Sequence, residues 1–259
     1  MLMNRTGVIL AAGFGSRLAG VDQSTALKPL TPVAGVPLIQ RTLRSLERAG
    51  CDRIVIVVGH AAHEVTSAAE RVHSGQAELI FAHNHLYQLA NGLSVLAAAP
   101  YIRGEFILTM ADHVLGDGLM DIARGYALAP GTAALLVDYK LDSIFDMDDA
   151  TKVLARQGRV TSIGKQIPQY NCVDTGVFVC TQALIDAIER VYAQRGDASL
   201  SDGVAALAHA DNMFAVDIGD GFWNDVDTPD MLAHTERMLA ERSAPAVEAP
   251  APTVEAIAQ

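Results

Sequence analysis

The chain has 259 residues, half of them hydrophobic, with 19 Lys plus Arg against 30 Asp plus Glu and a formal net charge of −11. That balance excludes bulk disorder and counts against a general nucleic-acid binder, which needs a basic face. Cys51, Cys172 and Cys180 are too scattered for a disulfide framework or a CxxC metal site, no apolar run approaches bilayer length, and Met1–Arg5 lacks a signal-peptide core.

The expectation is therefore a soluble cytoplasmic protein with no membrane partner. In chain order, Val8-Ile9-Leu10 reads as a buried strand entering the loop Ala11-Ala12-Gly13-Phe14-Gly15. Leu38, Ile39, Leu43 and Leu46 recur at helical spacing from Pro37 to Ala49, and Gly50 stops that helix. The β-branched run 53–58 reads as a strand covered on both faces. A helix over 61–72, a strand over 79–81, a helix over 91–99 and a strand over 106–110 follow. This alternation predicts right-handed βαβ units and a mainly parallel sheet, with ligands outside the carboxyl ends of its strands.

The second half reads differently. Short strand-like pieces cover 133–138, 150–155, 159–163 and 175–180, with Gln157-Gly158 as a tight hairpin turn. Helices are expected over 181–194 and 201–209, a strand over 213–217 and a last helix from Pro229. One domain over 1–242 and an Ala/Pro-rich, disordered tail over 243–259 complete the expectation.

Gly13-Phe14-Gly15 follows a strand, but Leu18 stands where a dinucleotide fingerprint has its third glycine, and no Gly-Lys-Ser/Thr makes a Walker A loop. What remains is Leu10 to Leu18 with Ser16 and Arg17, then Lys28-Pro29-Leu30. Small residues let backbone amides approach a triphosphate, and the two cations neutralise it. This pattern resembles the nucleotidyltransferases that join a nucleoside triphosphate to a sugar or alcohol phosphate, over roughly residues 6–240. The resemblance implies a Rossmann-like, GT-A-like three-layer α/β sandwich. It also implies triphosphate contacts from Leu10, Ala11, Ala12, Gly13, Gly15 and Ser16, and catalytic roles for Arg17 and Lys28. Leu27 departs from the family's habit of Pro before the lysine.

Asp112 ends an apolar strand on the rim of the glycine loop, and Asp225 and Asp227 lie at i, i+2 spacing. Together they could ligate magnesium, which takes oxygen ligands alongside substrate phosphates. A helix cap for Asp227 and a turn for Asp112 are the plainer alternatives. The family resemblance favours metal binding for Asp112 and Asp227, with Asp225 as a third ligand.

A narrower resemblance rests on five segments in order: Phe106–His113, Ala150–Val153, Gly158–Val160 with Ile163–Lys165, Cys172–Phe178, and Trp223–Thr228. These look like the cytidylyltransferase half of the enzymes that make di-myo-inositol phosphate. That implies CTP, inositol 1-phosphate and Mg2+ as reactants and cofactor. Lys165 matches a lysine that holds the acceptor's phosphate in related sugar nucleotidyltransferases, with a solvated surface lysine as the plainer reading. Asp174 and Thr175 offer hydrogen-bond acceptors suited to a polyol or mark an ordinary strand-entry turn. The broader family resemblance also suggests base or ribose contacts for Asn91, Gly92 and Ser94, where a plain helix N-terminus is the competing reading. The same chemistry on phosphocholine, an aminoalkyl phosphonate or a hexose 1-phosphate stays open, as does a nucleotide-binding regulatory subunit. A homo-oligomer is compatible with the sequence.

Overall fold

The structure is a computed structural model, and it describes residues 5–15 and 27–243. Ser16, Arg17 and the expected tail beyond Ser243 lie outside the described residues. Its central sheet has nine strands. In chain order these are β1 (Arg5–Leu10), β4 (Cys51–Val58), β5 (Glu78–His83), β6 (Phe106–Met110), β8 (Ala133–Asp138), β9 (Lys152–Arg156), β10 (Arg159–Gly164), β11 (Cys172–Cys180) and β12 (Met213–Asp217). Two small antiparallel pairs stand beside it: β2 (Pro32–Val33) with β3 (Val36–Pro37), and β7 (His113–Leu115) with β13 (Trp223–Asp225).

The spatial order is β5-β4-β1-β6-β11-β8-β12-β10-β9. Pairing is parallel from β5 through β6 and turns antiparallel at β11. Only β10 and β11 run against the other strands, so the sheet is mixed with one dominant direction. Gln157 and Gly158 both have positive φ, 50° and 74°, as the hairpin between β9 and β10 requires.

Strand alternation divides the core into two faces. Val8, Leu10, Val55, Val57, Leu108 and Phe178 face α3 (Gly92–Ala98), α5 (Gln182–Arg195) and α6 (Leu200–His209). Ile9, Ile54, Ile56, Ile107, Val177 and Val179 face α1 (Leu38–Arg48), α2 (Ala62–Val72) and α4 (Asp117–Gly125). The result is the expected three-layer sandwich. Helix α4 has no counterpart in the sequence reading. Gly116, Gly118 and Gly125 mask it, although Leu119, Met120 and Ala123 form a buried face at helical spacing.

A third apolar cluster, Val33, Leu38, Val114, Phe222 and Val226, packs under α7 (Pro229–Ser243). It anchors the β7–β13 pair at the carboxyl rim of the sheet. Among the described residues, no helix is long and apolar enough to cross a membrane.

Candidate active site

Two cavities open at the carboxyl ends of the strands. The first, of about 350 Å³, is walled by Leu10–Gly15, Lys28 and Pro29, with Asn91 and Ser94 from the start of α3. β1 is held between β4 and β6, and its register carries straight into the loop: the Ala11 amide donates to the Val57 carbonyl at 2.9 Å, and the Ala12 carbonyl accepts from the His60 amide at 3.0 Å. Gly15 has φ +62°, and a Cβ there would lie 2.7 Å from Cβ of Lys28. Glycine is needed at this point both for the turn and for the close approach of Lys28.

The second cavity, of about 210 Å³, is walled by polar side chains: Asp149, Lys165, Asp174 and Asp225, with His113 and Trp223. Asn91, Met110, Asp112 and Asp227 line both cavities. The two spaces therefore meet at carboxylates.

That junction is built by the β7–β13 pair. His113 pairs with Asp225, and the Val226 amide donates to the Asp112 carbonyl at 2.9 Å. This places residues 225–227 beside Asp112, which is 113 positions earlier in the chain. The Lys28 ammonium is paired with Asp112 Oδ2 at 2.5 Å and with Asp227 Oδ1. Two carboxylates from distant segments thus converge on one cation, and Lys28 is only 13% exposed. The helix-cap alternative for Asp227 falls away, because Thr228 Oγ1 accepts from the Met231 amide at 3.2 Å and so caps α7.

Asp112 Oδ1 is 2.6 Å from His113 Nδ1. Burial alone would raise the Asp112 carboxyl; His113 and Lys28 outweigh it and hold the group well below the usual carboxylate range. Burial opposes a charge on His113 too, but Asp112, with help from Asp225, raises the imidazole above its ordinary value. The ring stacks on Trp223 at 6.0 Å, and Gly176 leaves room for it, since a Cβ there would meet Nε2 at 2.5 Å. Burial raises Asp225, and it pushes Asp174 up to about 6 although the Gly176 amide and His113 pull the other way.

Carboxylate oxygens of Asp149, Asp225 and Asp227 lie within 4.8 Å of one another. Two aspartates around one ammonium and a third and fourth nearby form a hard-oxygen donor set with surplus negative charge. That donor chemistry fits a divalent cation.

Residues 7–205 match the family model described as the MobA-like NTP transferase domain. The chain belongs to that family. As a nucleotidyltransferase it is 34% identical over 235 residues to the "Bifunctional IPC transferase and DIPP synthase" of Rubrobacter xylanophilus, covering 89% of this chain and 51% of that protein. The chain spans about half the length of the curated relatives of that name which it matches. A solved structure described as the inositol-1-phosphate CTP transferase from T. maritima is similar with a TM-score of 0.79 and 26% identity, covering 93% of this chain and 98% of that one. UDP-glucose pyrophosphorylase in complex with UDP-glucose shares the fold at a TM-score of 0.70 and 14% identity, covering 93% of this chain and all of that one.

For this nucleotidyltransferase most of the expected site residues come together. Leu10, Ala11, Ala12, Gly13, Gly15 and Lys28 share the first cavity, and Asp112 and Asp227 join it to Lys165, Asp174 and Asp225. Ser94 lines the first cavity and its hydroxyl accepts from Asn84 Nδ2 at 3.0 Å.

Two expectations are corrected. Thr175 is fully buried, and its hydroxyl donates to the Leu136 carbonyl at 2.8 Å, so it faces the sheet and not a polyol. Gly92 serves packing: a Cβ there would sit 2.4 Å from the Ala198 carbonyl oxygen, where α3 abuts the turn into α6. Asn91 beside it does line both cavities, while its Oδ1 accepts from the Leu200 amide at 2.9 Å. Asp149 escaped the sequence reading. It stands in the acidic run Asp146-Met147-Asp148-Asp149, and nothing local distinguishes the member that turns inward.

Proposed function

We propose that this chain transfers the cytidylyl group of CTP to inositol 1-phosphate, with magnesium, giving the CDP-linked polyol and pyrophosphate. The observation that carries the reading is the junction itself. A cavity of nucleotide size and a smaller polar cavity meet where Lys28, Asp112 and Asp227 converge. The likeness to an inositol-1-phosphate CTP transferase over nearly all of that chain supports the choice of substrates. The chain spans about half of the bifunctional relatives, so the proposal is confined to nucleotidyl transfer.

In this reading the amides of the Gly13–Gly15 loop receive the triphosphate, with Arg17 assisting at the pyrophosphate. Lys165 holds the acceptor's phosphate. One of that phosphate's oxygens bonds to the α-phosphorus, the bond to the bridging oxygen breaks, and pyrophosphate leaves with the electron pair. The nucleophile is already anionic, so no side chain has to remove a proton. Catalysis then consists of alignment and of charge neutralisation by Lys28. Magnesium held by Asp112 and Asp227, with Asp225 adjacent, would neutralise phosphate oxygens when bound.

Asp149 and Asp174 beside Trp223 favour a second reading, a cationic acceptor such as phosphocholine. Pyrophosphate release decides between them, with CTP, UTP, GTP and ATP each offered inositol 1-phosphate, phosphocholine and hexose 1-phosphates. A maximum at CTP with inositol 1-phosphate is expected. A maximum at another acceptor overturns the substrate, and silence from a folded protein that binds CTP overturns the reaction.

A further inference from the structure

We infer that Lys152 is a positioning residue for the acceptor half of the site, acting through the loop that carries Asp149. The inference rests on the reading of the second cavity as the acceptor site. Lys152 opens β9 and is only 9% exposed. A lysine so buried ordinarily meets a carboxylate. Here Nζ donates to three backbone carbonyls, those of Met147 at 2.6 Å, Asp148 at 3.2 Å and Ala150 at 3.3 Å. An ammonium has three N–H donors, and this span of four residues takes them all.

The loop also makes contacts of its own. The Asp149 amide donates to Asp146 Oδ1 at 3.2 Å, the Ala150 amide to the Asp146 carbonyl at 3.1 Å, and Phe145 stacks on His234 of α7 at 4.3 Å. The chain is thus wound around the Lys152 ammonium, with carbonyls turned in. That winding presents Asp149 to the cavity, where its carboxylate pairs with Lys165 and lies near Asp225 and Asp227. The geometry of the Asp149–Lys165 pair is set before any acceptor arrives. Preset groups bind without first being ordered. No residue of this loop, nor Lys152, lines the nucleotide cavity.

The test is a double-mutant cycle on the full chain with Lys152→Met, Asp149→Ala and the pair together, read by steady-state kinetics with the best acceptor found for the wild type. Lys152→Met should raise the acceptor's KM by about tenfold, with the KM for CTP within about twofold of wild type. If Lys152 acts through Asp149, the double variant should be no worse than the poorer single one. Additive losses, an equal rise in both KM values, or wild-type behaviour of Lys152→Met would each overturn the inference. Lys152→Arg, which keeps charge and donors, should recover part of the acceptor KM and covers the case in which Lys152→Met does not fold.

Hydrogen exchange needs no turnover. Amides of residues 146–150 should exchange at least about tenfold faster in Lys152→Met or, failing that variant, Lys152→Gln. Unchanged exchange there overturns the inference even if the wild type is silent toward every acceptor. Silence of the wild type itself would count against the substrate assignment instead.

Discussion

The nucleotide cavity is walled by backbone and small side chains at the ends of parallel strands, whereas the acceptor cavity is walled by carboxylates and lysine gathered from β9, β10, β11 and β13 or their flanks. Under the proposed assignment of substrates, the materials suit the occupants. A triphosphate is a compact array of identical oxygens, and a row of amides with one or two cations serves it. A phosphorylated alcohol must be told from others of its size, which calls for individually placed polar groups. The difference also shows in tolerance. The first cavity depends on glycine at a position no other residue fits, Gly15, while the second depends on charges held by other charges.

The sharpest way to break this contrast is at the junction, where neither half can do without the same group. Replacing Lys28 by alanine should lower kcat by about 10²–10³ with both substrates saturating, the usual loss for one charged contact aimed at developing charge. Asp112→Ala should be at least as damaging and should also abolish the response to added magnesium. Circular dichroism and the thermal midpoint should report folded protein in both cases. Near-normal turnover by folded Lys28→Ala would remove Lys28 from the chemistry and leave it a structural partner of the two aspartates.

Next in size is a loss confined to one side. Lys165 is half exposed and is paired with Asp149. Lys165→Ala should raise the acceptor's KM by about tenfold to a hundredfold, the worth of one hydrogen bond to a charged group, and leave the KM for CTP within about twofold. An equal rise in both constants would mean that the two cavities do not divide the substrates between them.

The same contrast explains how much could be read from the chain. The glycine loop, Lys28 and the strands β1, β4 and β6 are contiguous signals: a β-branched run, a Gly-x-Gly, a cation at short range. A mainly parallel α/β sheet with its ligands at the carboxyl rim was legible on those grounds, while the nucleotidyltransferase sandwich and the triphosphate role of the first cavity came from the family resemblance. The acceptor side is assembled from separated segments, and side-chain direction there depends on register. Asp225 and Asp227 could be placed on one face from their spacing, but Asp149 could not be told from Asp146 and Asp148. Thr175 had the right chemistry and the wrong direction, and Gly92 owes its identity to a neighbour, Ala198, more than 100 residues away. α4 was hidden because its glycines outweighed an apolar face of only three residues.

The smallest expected effect concerns the price of polarity on the acceptor side, and its sign depends on pH. Burial pushes the Asp174 carboxyl up to about 6 from 3.8. The unfolded chain gives up this proton near pH 4, whereas the folded protein keeps it to about pH 6. Between those values the folded state binds more protons, so the group's contribution to stability falls as pH rises through the window, and the full penalty is present above it. A shift of this size sets a ceiling of about 3 kcal/mol, and solvent reaching the cavity should leave about 1 kcal/mol of it. Asn at this position keeps the acceptor for the Gly176 amide, 2.7 Å from Asp174 Oδ1, without the charge. Asp174→Asn should therefore raise the thermal midpoint by about 2–4 °C at pH 7.5 and change it little at pH 4. It should weaken acceptor binding at the same time, because the stability gained is that of a carboxylate kept in the site for its hydrogen bonds. A gain of equal size at both pH values would show that the effect is packing and not charge.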